Sequence, residues 1–289
     1  MKSIFKKICI GSANFNLKYG HKNKKLNIKS VNKIMDYSWS KGITNIDTAM
    51  SYDGTHKILG NFESKNLKFI TKLSLPSKKI TSIKDWCIDE VIKSRKVLKT
   101  KCIYGLLIHD SKILENKKQA KDIYEALDYL KKKKIIYKTG LSIYDPLELD
   151  KYFNEYNFQI VQFPFNIFDR RILNSGWLKK LSKNKIELHA RSIFLQGLLL
   201  YKSNKIPKKF IKWKKYFFRL NQFVDKKKIS NKQACISFVK KYNQIDKFVI
   251  GANDYTQIRE NLEIFKDKTI KIPLNLEVKS IKLINPKMW

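Results

Sequence analysis

Glycine is scarce in this chain, ten in 289 residues, and the ten never fall into a G-x-G-x-x-G or G-x-x-x-x-G-K-S/T spacing. The usual backbone cradles for nucleotide phosphates are therefore missing, and with them the main support for an open doubly wound sheet. Cysteine is scarcer still. Cys9, Cys87, Cys102 and Cys235 stand far apart with no C-x-x-C pair, which argues against a zinc ribbon or redox dithiol and leaves buried reduced thiols. No spaced group of His, Asp and Glu suggests a metal. No apolar run approaches the ~20 residues of a membrane span. The opening segment, Met1 to Phe15, offers only the short run Ile8 to Ile10, too brief for a secretory signal. The chain reads as a cytoplasmic protein without a membrane partner.

Acidic residues are also few, 25 against 61 Lys and Arg, for a formal net charge of +36. That excess raises nucleic acid as a partner, but only six of the cations are arginines: Arg95, Arg170, Arg171, Arg191, Arg219 and Arg259. Phosphate and base-edge recognition favours the planar guanidinium fork. Lysines spread over the whole length read instead as a solvated surface with no nucleic-acid role. The densest run, Lys131 to Lys134, ends a helical pattern in which Ile123, Leu127 and Leu130 share a face, where cations suit the negative end of the dipole.

What is present is a regular alternation. Hydrophobic residues make up 43% of the chain, enough for a large core. Strand patterns fall at Lys7–Gly11, Ile43–Asp47, Leu67–Leu73, Ile103–Ile108, Ile136–Ser142, Phe158–Gln162, Glu187–Arg191 and Lys247–Gly251. Helical patterns lie between them at Ser30–Ser40, Thr55–Phe62, Ile83–Leu98, Lys117–Lys133, Pro146–Glu155, Ser175–Lys183 and Asn231–Tyr242, and Tyr255–Phe265 follows the last strand. Eight strands interleaved with helices, with no break in composition, predict a single-domain α/β fold, a (β/α)8 TIM barrel over residues 1–289. The barrel proper would run from about 7 to 266, followed by a tail over 267–289.

In such a barrel, function sits on the rim where the strands end. The stretch Gly42 to Gly60 supplies Asp47 at a strand end and Tyr52 in the loop that follows. Lys72 ends the third strand pattern, His109 closes the fourth, Ser142 the fifth and Gln162 the sixth, with Arg191 and Ser192 at the seventh. Taken singly, Asp47 reads as a turn residue, Lys72 as a surface cation and His109 as a satisfied core histidine. Three consecutive strand ends carrying them together point to chemistry. A free phenol, with a pKa near 10, is a sluggish acid at neutral pH. A lysine beside it would lower that pKa and a carboxylate would hold the lysine, so Tyr52 is expected as general acid, Lys72 as its pKa-lowering partner and Asp47 as the anchor. His109 would orient a carbonyl or assist the proton transfer.

Asp47, Tyr52, Lys72 and His109, with Gly140-Leu-Ser-Ile, Val161 to Arg171 and Ile250 to Leu262, resemble the aldo-keto reductase superfamily from about Ile8 to about Phe265. Asn14 to Gly20 and Arg191 to Leu199 resemble most a bacterial branch associated with surface-polysaccharide and modified-sugar pathways. The resemblance implies an oxidoreductase that moves hydride from NADPH, with NADH as the alternative, to a small aldehyde or ketone, and the branch resemblance implies a sugar-like one. It implies that Ser142 and Gln162 hold the nicotinamide carboxamide and that Asn253, Gln257, Glu260 and Asn261 grip the adenosine end. Arg191 stands where many relatives place an aromatic that stacks on nicotinamide, and Ile143 where many have asparagine. Gln257 replaces an arginine that some branches use for the 2′-phosphate. Phe163, Phe165, Phe168, Phe194 and the tail Pro286–Trp289 read as pocket wall or lid, or as core. The rival to the reductase is a nucleotide-binding sensor or partner-binding barrel with little turnover. The oligomeric state is left open.

Overall fold

The computed structural model describes residues 2–18, 25–62, 66–75 and 80–289; Tyr19 and Gly20 of the Asn14–Gly20 segment lie outside these. Eight parallel strands close into a barrel in sequence order: β1 (Ile8–Gly11), β2 (Asn45–Asp47), β3 (Lys68–Leu73), β4 (Ile103–Ile108), β5 (Ile136–Ser142), β6 (Ile160–Pro164), β7 (Glu187–Arg191) and β8 (Lys247–Ile250). Every expected strand is found within two residues of its predicted ends. The largest shift is at β6, which runs past Gln162 to Pro164.

The interior side chains follow from the period of two along each strand. Cys9, Ile70, Leu107 and Ile160 meet as an apolar plug in mid-barrel. Room for Ile160 comes from two neighbouring strands that carry glycine. A Cβ at Gly140 would lie 2.3 Å from the Ile160 carbonyl oxygen, and one at Gly105 would lie 2.7 Å from Ile160 Cδ1. Above the plug, at or near the ends of their strands, lie Asp47, Lys72 and Gln162. One step below, Lys138, Glu187 and His189 occupy the other half of the barrel.

The outer ring comprises α1 (Ile28–Ser40), α2 (Thr55–Gly60), α3 (Ile83–Val97), α4 (Lys117–Lys132), α5 (Leu147–Tyr152), α6 (Trp177–Lys183), α7 (Lys214–Lys226), α8 (Asn231–Lys240) and α9 (Tyr255–Lys266). Their starts are set by local polar residues. Asn27, Ser82, Asn116 and Asp254 accept from backbone N–H groups of the first turn, and Ser230 with Gln233 forms a reciprocal capping box. Lys131 and Lys132 fall in the last turn of α4, as expected.

Helix α7 was not anticipated. It buries Phe217, Leu220, Asn221 and Val224. The tail is tied to the barrel by the fully buried Arg170, whose Nη2 donates to the Pro273 carbonyl at 2.9 Å, and by Val278 N, which donates to the Phe168 carbonyl at 3.0 Å. Among the described residues no helix is long and apolar enough to cross a membrane.

Candidate active site

A cavity of about 720 Å³ opens at the C-terminal ends of the strands, and all twelve of the expected site residues line it: Asp47, Tyr52, Lys72, His109, Ser142, Gln162, Arg191, Ser192, Asn253, Gln257, Glu260 and Asn261. They come from six strand ends and from the start of α9, so only closure of the barrel brings them together.

The floor is an ion pair. Lys72 Nζ donates to Asp47 Oδ1 at 2.7 Å and Oδ2 at 2.8 Å, and to the Thr48 carbonyl at 2.9 Å. Both side chains are nearly sealed from water, 3% and 8% exposed. Gln162 Nε2 adds a further bond to Asp47 Oδ2 at 2.6 Å. Because a carboxylate only accepts, this bond fixes which end of the Gln162 amide is the donor and leaves its Oε1 as a buried acceptor without a partner. The Tyr52 ring sits over this pair, with its centroid 5.8 Å from Lys72 Nζ, and packs edge-on to His109 at 6.4 Å between centroids.

The electrostatics correct one expectation. The Tyr52 phenol is not made more acidic by Lys72; its pKa is pushed well above the usual tyrosine value, first by burial and then by the Asp47 carboxylate, with Arg191 pulling the other way. The Lys72 ammonium is bonded to Asp47 and Thr48, and the Asp47 carboxylate that holds it also acts on the buried phenol and disfavours its anion. His109 moves the opposite way, down to about 4, by burial and the charges of Lys72 and Arg191. It is thus a neutral imidazole at ordinary pH, with Nδ1 bonded to Ser74 Oγ at 2.8 Å.

Arg191 stacks, though on a protein ring: its Cζ lies 4.2 Å from the centroid of Tyr144, and its Nη2 donates to the Ile143 carbonyl at 2.9 Å. Ser192 follows with φ +60°, and Leu195 and Gln196 also take left-handed conformations, φ +47° and +53°. Such strain in non-glycine residues gathers at functional loops, and this loop lines the cavity through Ser192, Ile193, Phe194, Gln196 and Gly197. At the far end, Gln257 Oε1 accepts from Asn253 N at 3.0 Å, and Asn261 Oδ1 is a second buried acceptor without a partner.

Among the lining residues that sequence reasoning did not assign, Asn14, Tyr144 and Lys232 carry polar groups that matter here. Asn14, just past β1, braces the far loop by donating to the Ala252 carbonyl at 2.9 Å and to Asn253 Oδ1 at 3.0 Å. Tyr144 lies two residues beyond Ser142, within reach of the strand-end rule. Lys232, on α8, ion-pairs with Glu260, and no local signal announces it. Of the four phenylalanines, Phe194 lines the cavity while Phe163, Phe165 and Phe168 are fully buried core. Pro286 of the tail does reach the cavity wall. Of the remaining histidines, His189 lies within β7. His56, on α2, is a satisfied core histidine between Thr71 and Ser94.

A closed parallel barrel with acidic, basic and amide side chains gathered at its C-terminal mouth defines a (β/α)8 barrel with its polar site on that rim. Comparison with known proteins is specific: the Aldo/keto reductase family pattern matches residues 7–273, and the chain belongs to that family. Its fold resembles the holo form of the aldo-keto reductase AKR11C1 from Bacillus halodurans, with a TM-score of 0.74, 17% identity, and coverage of 92% of this chain and 88% of that one. It also resembles the glycerol dehydrogenase AKR11B4 from Gluconobacter oxydans, with a TM-score of 0.70, 18% identity and the same coverage. At these identities the likeness is one of fold. No curated protein sequence matches the chain.

Proposed function

We propose that this chain reduces a small aldehyde or ketone to its alcohol, with Tyr52 as proton donor and NADPH as the preferred reductant over NADH. The observation that carries the reading is the sealed Lys72–Asp47 pair beneath the Tyr52 and His109 rings at the floor of the cavity. The fit to a dinucleotide rests on two orphaned acceptors. Gln162 Oε1 at the barrel mouth suits the N–H of a carboxamide, and Asn261 Oδ1 on α9 suits the exocyclic amine of an adenine. Lys232 lines the cavity paired with Glu260 near the adenosine end, and a 2′-phosphate would have to take over that pairing. A reduced nicotinamide held in this way would supply the hydride.

The protein's part is proton transfer and orientation. A donor must be protonated, and burial keeps the Tyr52 phenol so at every ordinary pH, which favours the reductive direction. Neutral His109, if Ser74 donates to its Nδ1, carries its proton on Nε2 and can share the carbonyl oxygen with Tyr52. Lys72 and Asp47 hold that corner rigid and dry. As substrate we favour a polyhydroxylated, sugar-like carbonyl compound, a reading supported by the resemblance of Asn14–Gly20 and Arg191–Leu199 to the modified-sugar branch and by a glycerol dehydrogenase among the structural neighbours. The four free thiols support a cytoplasmic setting.

Cofactor oxidation on a panel of sugar-derived and simple aldehydes, with wild type and Tyr52→Phe compared, tests the assignment. The variant should lose at least about 100-fold in rate; equal rates would remove Tyr52 as the acid.

A further inference from the structure

Charge is balanced unevenly around the reacting end of the cavity. Lys72 is sealed in its pair with Asp47, and Lys287, returned by the C-terminal tail, shares a solvent-exposed pair with Asp110 at 2.8 Å that leaves its charge partly available. Arg191 is held but not neutralised. Its Nη2 donates to the Ile143 carbonyl and its Nη1 to Ser192 Oγ at 3.3 Å, its Cζ rests on Tyr144, and among the described residues no carboxylate pairs with it.

A guanidinium fixed by a carbonyl, a hydroxyl and a ring, with part of its fork still facing a cavity, is prepared for planar anionic oxygens. Its field is felt at the reaction end: it opposes the upward shift of the Tyr52 phenol and helps to keep His109 neutral. Lys287 Nζ lies 4.0 Å from the centroid of the same Tyr144 ring, so the tail brings a second cation to the first. The start of α9, by contrast, can meet phosphate through its backbone amides without Arg191.

We propose that Arg191, supported by Lys287 across Tyr144, recognises an anionic group on the substrate, so that the carbonyl compounds reduced here carry a carboxylate or phosphate near the carbonyl. This deepens the proposed function and rests on the reading of the cavity as a carbonyl-reduction site.

The test uses 4-carboxybenzaldehyde and its neutral isostere 4-formylbenzamide with the full-length protein, alongside calorimetric binding of the two corresponding benzyl alcohols. NADPH affinity is read in parallel from intrinsic fluorescence. Wild type should show a KM about 10- to 100-fold lower for the carboxylate, the range expected of a charge-assisted hydrogen bond. Arg191→Gln should abolish that preference, Arg191→Lys should keep part of it, and Lys287→Gln should narrow it about threefold. Equal KM values in wild type, or an Arg191→Gln protein that loses NADPH affinity yet keeps the preference, would overturn the proposal and leave carbonyl reduction standing. If neither aldehyde turns over but the carboxylate alcohol still binds in an Arg191-dependent way, the anion site stands and the reductase reading falls.

Discussion

The same four side-chain types meet at both mouths of this barrel. Above the apolar plug are Asp47, Lys72, Tyr52 and His109; below it are Glu187, Lys138, Tyr104 and His189. In the lower set the carboxylate collects every partner: Lys138 Nζ at 2.6 Å, the Tyr104 hydroxyl at 2.7 Å and His189 Nε2 at 2.8 Å. Glu187 is drawn below the usual carboxylate range by these bonds, despite burial, and the Tyr104 phenol is pushed up to about 12 by burial and that carboxylate. The phenol's proton is spent inside the network. In the upper set Lys72 and Gln162 fill the carboxylate instead, and Tyr52 is left to line the cavity. Composition is shared; the wiring of the hydrogen bonds differs, leaving one phenol facing a cavity and closing the other inside its network.

The contrast should be largest in stability when each carboxylate is neutralised. Asp47→Asn strands a lysine sealed from water, and denaturant unfolding should show a loss of about 3–5 kcal/mol. Glu187→Gln leaves Lys138 with a quarter of its side chain exposed, so its loss should be about 1–3 kcal/mol. Equal losses would mean that burial does not separate the two networks.

Acid should come next. His109 and His56 are both held down to about 4 from 6.5, burial being the first cause in each. Between those values the unfolded chain binds protons that the native state refuses, so stability is full above about 6.5 and falls as pH drops toward 4. Each histidine contributes a slope of about 1.4 kcal/mol per pH unit across that window. His56→Asn should remove about one proton's worth of slope in urea titrations between pH 6.5 and 4.5. An unchanged slope would contradict the cause assigned to the shift. Smallest of all, Tyr104→Phe should cost about 1 kcal/mol, the worth of one hydrogen bond, with turnover within about twofold of wild type.

Much of this was readable from sequence, for reasons that mark where it stopped. The strands have hydrophobic runs and clear ends, and a polar residue at a strand end is informative once a barrel is inferred. Asp47, Lys72, His109, Ser142 and Gln162 could therefore be placed on one rim. Helix α7 was missed although Phe217, Leu220 and Val224 recur at helical spacing, because the segment is crowded with lysine and extra aromatics. Phe163 could not be sorted into core or pocket until Gln162 was seen to point inward, which sends its neighbour outward. The pairing of Lys232 with Glu260 joins two helices across a strand and has no local sign. The direction of the Tyr52 shift was misread because burial and the Asp47 carboxylate set it, and a strand pattern does not carry how deeply a loop residue is buried.

The most direct test of the wiring is a single-turnover measurement of NADPH oxidation, at matched nucleotide saturation, for wild type, Tyr52→Phe and Tyr104→Phe with one reducible aldehyde. The account predicts that Tyr52→Phe binds NADPH normally and slows by about 100-fold or more while Tyr104→Phe stays near wild type. Equal rates for wild type and Tyr52→Phe, or an equal loss in both variants, would contradict it.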